Sequence, residues 1–370
     1  MKTRAAVLYG PTRSFSIEEL ELDEPKEGEV LVKLVATGLC HSDWHFAKGE
    51  APVRFPMVVG HEGAGIIEKV GPGVTDLKPG DHVVLCYIPA CGKCRWCLSG
   101  LAAICDRGIL IAQGTQLDGT FRLHKDGQDI AQFALVSAFS EYTVCPVDSV
   151  IKIDPDLPLD RACLVGCAVP TGWGAAVNRA RVRPGETVAI FGTGGVGMNA
   201  VQGAAMAGAE KVIAIDLVDW KLEKAKEFGA THTINPTRED PVQRIMDITH
   251  GVGADATILT VSLVTADVIG TAVRATRKAG RTVIVGASDR RMQRMNITPV
   301  DFMLLAKEIV GTIFGHNVPR VDIPRLLSLY RDGKLKLDEL VTKRYRLDEI
   351  NQAFLDLEEG RLIRGILVFD

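Results

Sequence analysis

Four of the nine cysteines fall within fifteen residues, CGKCRWCLSGLAAIC, as Cys91, Cys94, Cys97 and Cys105. The spacing C-x2-C-x2-C-x7-C gathers four thiolates into one loop. Four thiolates complete a tetrahedral Zn²⁺ shell and leave no position for a substrate. An iron–sulfur cluster is the rival, because C-x2-C-x2-C also serves such clusters. Their fourth cysteine follows sooner and precedes proline, whereas Cys105 precedes Asp106. Unliganded or redox-active thiols are the remaining alternative. The spacing favours a closed structural zinc site, with Lys93 and Arg95 offsetting part of its negative charge.

A second constellation is FGTGGVG, residues 191–197, which sets Gly192, Gly194 and Gly197 in G-x-G-x-x-G spacing. The string follows an apolar strand, opens a helix, and is followed by Asp216 at the end of the next strand. The first glycine permits the tight turn, the second lets backbone approach a pyrophosphate, and the third lets helix and strand pack closely. Gly195 and Val196 would turn their N–H groups, at the positive end of the helix dipole, toward the phosphates. Asp216 would accept from both ribose hydroxyls and repel a 2′-phosphate, and neither Leu217 nor Val218 supplies a cation to welcome one. NAD is therefore favoured over NADP. The alternative is a structural turn in an α/β fold.

Three further stretches carry metal-binding residue types. GLCHSDWH (38–45) offers Cys40, Ser42, Asp43 and His45; GHEGAG (60–65) offers His61 and Glu62; LVGCAVPTGWG (164–174) offers Cys167. No spacing rule joins positions 40, 61 and 167. By composition alone each could equally be a packing cysteine or a satisfied histidine.

The elements that must hold these residues change character along the chain. Up to about residue 150 the sequence reads as short strands and turns, with EVLVKLVATG (29–38) a strand and Gly71-Pro72-Gly73 and Pro79-Gly80 as punctuation. This predicts a β-rich, barrel-like unit. From Pro170, strand-like runs at 187–192, 211–216, 256–262 and 282–287 alternate with helical stretches at 196–207, 220–228 and 268–278. That alternation predicts a doubly wound parallel sheet. After Gly311 the pattern is mixed, so one domain inserted within another fits.

At 370 residues, two domains are expected. The 43 basic and 46 acidic residues give a net charge of −3, no basis for nucleic acid or an anionic membrane as partner. The N-terminus has neither a signal-peptide pattern nor an apolar run of membrane length. A cytoplasmic location is the expectation, where cysteines stay reduced and clusters bind metal or catalyse.

Taken in order, CHSDWH, GHEGAG, the cysteine cluster, VPTGWGAAVN and GTGGVGMNAVQGAA resemble the zinc-dependent alcohol dehydrogenases of the medium-chain dehydrogenase/reductase family. The texture is nearest the bacterial nicotinoprotein branch, which retains NAD and is assayed with an artificial nitrosoaniline acceptor. The resemblance covers essentially the whole chain. It implies an α/β protein with a GroES-like β-rich catalytic domain, 1–170 continued by 312–370, and an inserted Rossmann domain, 171–311. Two zinc ions per chain and NAD are implied. Cys40, His61 and Cys167 would hold the catalytic zinc, the Cys2His set known for alcohol dehydrogenases, with Asp43 and Glu62 beside it. Cys91, Cys94, Cys97 and Cys105 would hold the structural one. Cys86, Cys145 and Cys163 are left as small packing residues.

The resemblance also implies a proton relay from Ser42 through the nicotinamide ribose to His45. A histidine titrating near 6.5 cannot by itself deprotonate a hydroxyl near water's 15.7; zinc brings bound water to about 7, a change worth roughly 12 kcal/mol. Lys221 would contact the adenosine ribose, Thr171 the nicotinamide, and Arg364 the pyrophosphate. His41 stands where many members carry arginine for the same pyrophosphate, which leaves that contact weaker or pH-dependent. Tyr87, Ala51 and Leu110 would line the substrate pocket.

A thiol-adduct formaldehyde dehydrogenase is the nearest alternative. Neutral Ala51 and Ile109 stand at or near the places where that branch grips glutathione, and His45 replaces its usual tyrosine. A non-catalytic, zinc-stabilised nucleotide-binding protein is the alternative of another class. Expected partners are a small alcohol or aldehyde, a second chain in a homodimer or homotetramer, and an external electron acceptor if NAD is retained.

Overall fold

The computed structural model describes residues 1–50, 53–287, 292 and 294–370. Two compact units emerge from the contacts: Met1–Cys167 together with Val318–Asp370, and Ala168–Asn317.

The first unit contains a closed barrel of strands Lys2–Leu8, Ser16–Leu22, Leu123–Lys125, Gln128–Gln132 and Met57–Val58. A second sheet is centred on Glu29–Gly38, which pairs with Gly63–Val70, Tyr142–Pro146 and the C-terminal strand Arg364–Val368. The run EVLVKLVATG has Val or Leu at five of its ten positions, three of them the β-branched Val that favours strands. Because the strand is central, all but Lys33 and Val35 of it are buried, more than a half-solvated strand would bury.

The return of the C-terminal segment is fixed by packing as well as by strand pairing. Phe354, from helix Ile350–Glu358, stacks on Trp44 at 5.1 Å and on Phe15 at 5.1 Å, and meets Phe139 edge-on at 5.8 Å. All four rings are buried. Trp44 belongs to helix His41–Ala47, so this cluster locks the short helix that carries Ser42 and His45. Aromatic pairs of this kind add about 0.5–1.5 kcal/mol each beyond their buried area.

The second unit is a six-stranded sheet in the order His232–Ile234, Lys211–Ile215, Thr187–Phe191, Ala254–Leu259, Thr276–Ile284, Glu308–Gly311. Every neighbouring pair is parallel. Numbered along the sheet's own chain, this is 3-2-1-4-5-6, the Rossmann order, whose ligand site lies at the carboxyl ends where strand order reverses. The reversal falls between Thr187–Phe191 and Ala254–Leu259.

Several element ends differ by a few residues from those expected, one of them for a visible physical reason. The helix expected to reach Lys278 spans Ala266–Ala275, and a strand starts at Thr276. The Thr276 hydroxyl donates to the Ala272 carbonyl at 2.8 Å and exchanges hydrogen bonds with Thr257 and Thr282, so the turn to extended backbone is satisfied within the core. Among the described residues, no helix is long and apolar enough to cross a membrane.

Candidate active site and metal centres

Both predicted metal-binding sets come together within the first unit. Cys91, Cys94, Cys97 and Cys105 present ligand atoms that all lie within 4.8 Å of one another. Cys91 and Cys97 sulfurs are 4.0 Å apart, and those of Cys94 and Cys105 are 3.8 Å apart. Four sulfurs around zinc at about 2.3 Å sit roughly 3.8 Å apart in a tetrahedron, so the spacing fits that metal. The Cys94 backbone N–H donates to the Cys91 sulfur at 3.3 Å. Backbone N–H groups of Asp106 and Cys97 bring the Cys94 thiol down to about 6, toward the thiolate that a metal needs.

The second set is assembled from distant elements. Cys40 sits at the N-cap position of helix His41–Ala47, His61 lies two residues before strand Gly63–Val70, and Cys167 follows the 3₁₀ turn Cys163–Gly166. With Glu62, their ligand atoms also lie within 4.8 Å of one another, and all four residues are buried. His61 Nδ1 is 3.0 Å from Asp43 Oδ1, which also accepts from the Gly60 N–H at 2.9 Å. That contact occupies one ring nitrogen and leaves Nε2 for the thiols, the arrangement in which a carboxylate orients a metal-ligating histidine. The hydrogen bond from Cys167, reinforced by His61, holds the Cys40 thiol well below its usual range, while Cys167 is pushed well above it. Two thiols, an imidazole and no closing fourth sulfur suit a catalytic zinc with an open position.

Glu62 pairs with Arg364, and both are buried. Burial pushes the Glu62 carboxyl up to about 7, with Arg364 opposing. Burial also pulls the Arg364 guanidinium down, but Glu62, Cys40 and Cys167 outweigh it and hold it above its ordinary value. Arg364 Nε and Glu62 Oε1 make no hydrogen bond, so each retains polar capacity.

Ser42 is exposed, and its hydroxyl lies 3.6 Å from the Cys40 sulfur. His45, one turn further along, is 13% exposed in its side chain and pairs through Nδ1 with Glu50. Glu50 also receives Lys48 at 2.9 Å. His41, half-buried, opens the same helix.

In the second unit the glycine loop joins strand Thr187–Phe191 to helix Gly195–Met206. Gly192 has φ +94°, and a side chain on Gly197 would collide with the Gly192 carbonyl. A Cβ on Gly194 would meet nothing within 4 Å. Packing does not require that glycine, whereas close approach by a phosphate does. Val196 and Gly195 lie in the first turn of the helix. Asp216 follows strand Lys211–Ile215, and Lys221 is buried near it; burial lowers the Lys221 amine, with Asp216 opposing. Thr171 is nearly buried, and its hydroxyl has no hydrogen-bond partner.

Two family models match the chain. "Alcohol dehydrogenase GroES-like domain" covers residues 26–155 and "Zinc-binding dehydrogenase" covers residues 195–332. An NDMA-dependent alcohol dehydrogenase of Amycolatopsis methanolica is 48% identical over 368 residues, covering 100% of this chain and 99% of that protein. The chain belongs to the zinc-dependent alcohol dehydrogenases. Among solved structures, an alcohol dehydrogenase zinc-binding domain protein from Burkholderia ambifaria matches with TM-score 0.95 at 37% identity, covering 100% of this chain and 99% of that one. Benzyl alcohol dehydrogenase from Acinetobacter calcoaceticus matches with TM-score 0.94 at 35% identity, covering 100% of both chains.

As a member of this family the chain is an oxidoreductase, and several of its site residues escaped the sequence reading. Tyr87, expected at the pocket, packs edge-on to His61 at 5.4 Å, and Phe133 does the same at 5.6 Å. Phe133 and Phe46, which meet at 4.6 Å, carried no sequence signal because isolated aromatics read as core. Glu50 likewise had no marker beyond lying five residues after His45. Leu110 is half-buried and Ile109 is 74% exposed, both in the 3₁₀ segment Asp106–Ala112. Ala51 lies outside the described residues. Cys86, Cys145 and Cys163 are fully buried, and burial pushes the Cys86 thiol up to about 12.

Proposed function

We propose that the chain oxidises primary or secondary alcohols, or reduces the corresponding aldehydes and ketones, with a tightly retained NAD. The observation that carries this reading is the buried convergence of Cys40, His61 and Cys167, oriented through Asp43, on one point. Zinc at this point would supply Lewis acidity toward the alcohol hydroxyl and NAD the hydride acceptor.

The chain's own residues would then bind, orient and move protons. Ser42, beside Cys40, is placed to take the hydroxyl proton, and His45 lies on the same helix face three residues on. Glu50 at His45 Nδ1 fixes the ring and offers an exit toward solvent. Glu62 and Arg364 supply a buried charged pair next to the thiolates, and Arg364 would contact the pyrophosphate. In the nucleotide domain, Gly192, Gly194, Gly195, Val196 and Gly197 would cradle the pyrophosphate, with His41 near it. Asp216 and Lys221 would hold the adenosine ribose and Thr171 the nicotinamide. The second zinc would sit on Cys91, Cys94, Cys97 and Cys105 and brace its loop.

Retention of NAD is supported by similarity to the Amycolatopsis enzyme whose name records NDMA dependence. An aromatic alcohol is a sound first substrate, given the likeness to benzyl alcohol dehydrogenase and the rings of Tyr87 and Phe133 against His61. A cytoplasmic dimer or tetramer completes the reading, in keeping with reduced thiols and family membership.

The test is an alcohol panel assayed both with free NAD and with a nitrosoaniline acceptor, beside nicotinamide released on denaturation. Expected are released nicotinamide near one per chain and turnover with the acceptor. Absence of released nicotinamide together with ordinary turnover of exchanging NAD would overturn retention. No turnover in either assay, with one zinc per chain, would support a non-catalytic protein.

A further inference from the structure

The Asp216 carboxylate is held more completely than its expected role explains. Its Oδ2 accepts from the Thr193 backbone N–H at 2.7 Å and from the Thr193 hydroxyl at 2.9 Å. Its Oδ1 accepts from the Val218 N–H at 3.0 Å. A carboxylate offers about four lone-pair positions, so three are taken by the protein and one remains, on Oδ1. Thr193 is fully buried, which places its hydroxyl where water cannot substitute for it. Asp216 itself is only partly buried, so the remaining position can be reached by a ligand.

We propose that Thr193 is a positioning residue for nucleotide recognition: its hydroxyl clamps Asp216 so that Oδ1 presents one fixed acceptor to an adenosine ribose hydroxyl. The inference rests on the reading that this loop binds NAD, and it sharpens that reading. Asp216 then makes one strong contact to the ribose instead of holding both hydroxyls equally. Two of the three donors are backbone N–H groups that almost any residue would supply. The third is particular to a threonine or serine at position 193, the first variable position of the glycine motif. Lys221, the cation buried beside Asp216, does not occupy the clamp. Hydrogen bonds to charged groups are among the stronger ones, and their geometry decides how much they contribute. A carboxylate free to rotate gives up part of that contribution, because binding must then order it.

The test compares NADH with its adenosine 2′,3′-dideoxy analogue. Purified enzyme is first depleted of retained nucleotide with its fold intact and is then loaded with either nucleotide, and release is followed by nicotinamide fluorescence during a chase with unlabelled NAD. The wild type should release NADH about tenfold more slowly than the analogue, as a hydrogen bond to a charged acceptor implies. Thr193→Val keeps the shape and the backbone donor but removes the hydroxyl. It should speed NADH release about fivefold while leaving analogue release within about twofold, and Thr193→Ser should restore slow release. Equal acceleration for both nucleotides would mean that Thr193 only supports the loop, and unchanged or slower NADH release would also overturn the clamp. Wild-type protein that discriminates between the nucleotides while Thr193→Val behaves identically overturns the clamp alone. Wild-type protein that takes up neither nucleotide overturns the underlying NAD reading, and the clamp with it.

Discussion

The two cysteine-rich sites of the first unit use similar ligands but are built in opposite ways. Cys91–Cys105 closes within one loop, and three of its four cysteines remain partly exposed. The other set draws Cys40, His61 and Cys167 from three separated elements and buries them all, with Asp43 behind the histidine and Glu62–Arg364 alongside. Four thiolates would satisfy a metal completely, so the local site is proposed to contribute only structure. The assembled site has two sulfurs and one nitrogen, so it needs the fold in place before it exists and leaves a position for chemistry. Closed and open coordination are thus matched by local and long-range construction.

That contrast can be broken most forcefully at Cys167. Cys167→Ser removes a ligand from the assembled site, and turnover should fall at least about a thousandfold, since a metal supplies several kcal/mol of charge stabilisation. Thermal melting should stay near that of the parent; a collapse of the fold would show that the assembled site is structural as well. Cys105→Ser should do the reverse. A structural zinc contributes folding energy directly, so one zinc should be lost and the melting temperature should drop by roughly 10 °C, at about 2–4 °C per kcal/mol for a chain of this class. Metal analysis beside calorimetry checks this, and an unchanged melting temperature would count against a bracing role.

A finer division falls on Asp43→Asn. The substitution keeps the shape but weakens the hold on His61 Nδ1, and loss of such a partner typically costs 10–100-fold in metal affinity or activity. Zinc retained at the Cys91–Cys105 site, with loss confined to the other, would sharpen the contrast; equal loss from both would blur it. The smallest effect is expected at Asp356, which belongs to neither cysteine set. Tyr345 at 2.6 Å, together with Lys343, holds this carboxyl below the usual carboxylate range. A lowered folded-state pKa means that its stabilisation is present above the unfolded value near 4 and disappears as pH falls below it. Asp356→Asn should therefore cost about 1–2 kcal/mol at neutral pH and flatten the acid limb of the melting curve. Unaltered acid sensitivity would assign that limb to metal release, which protonation of thiolate ligands also drives.

The cysteine cluster was legible in the sequence because its ligand spacing is local and chemistry fixes it. The glycine loop was legible for the same reason, supported by the strand before it, the helix after it and Asp216 beyond. The trio was legible only through family resemblance, since nothing in the spacing of residues 40, 61 and 167 says that three elements converge. Side-chain partnerships were the least legible. Glu50 on His45, the Thr193 hydroxyl on Asp216 and the Arg364–Glu62 pair join residues through tertiary geometry, which a linear pattern does not encode. The end of the helix at Ala275 leaves no local mark, because the Thr257–Thr276–Thr282 hydroxyl network, assembled across two strands, overrides local helical preference.

The assembled trio is proposed to react and the local cluster to brace. The most direct test is zinc content measured beside alcohol turnover in Cys40→Ser and Cys94→Ser. Expected are one zinc, a retained fold and no turnover for Cys40→Ser, and reduced stability or assembly for Cys94→Ser. A Cys94→Ser protein that stays fully folded yet is inactive, beside a Cys40→Ser protein that still turns over alcohol, would contradict this division and reverse the two sites.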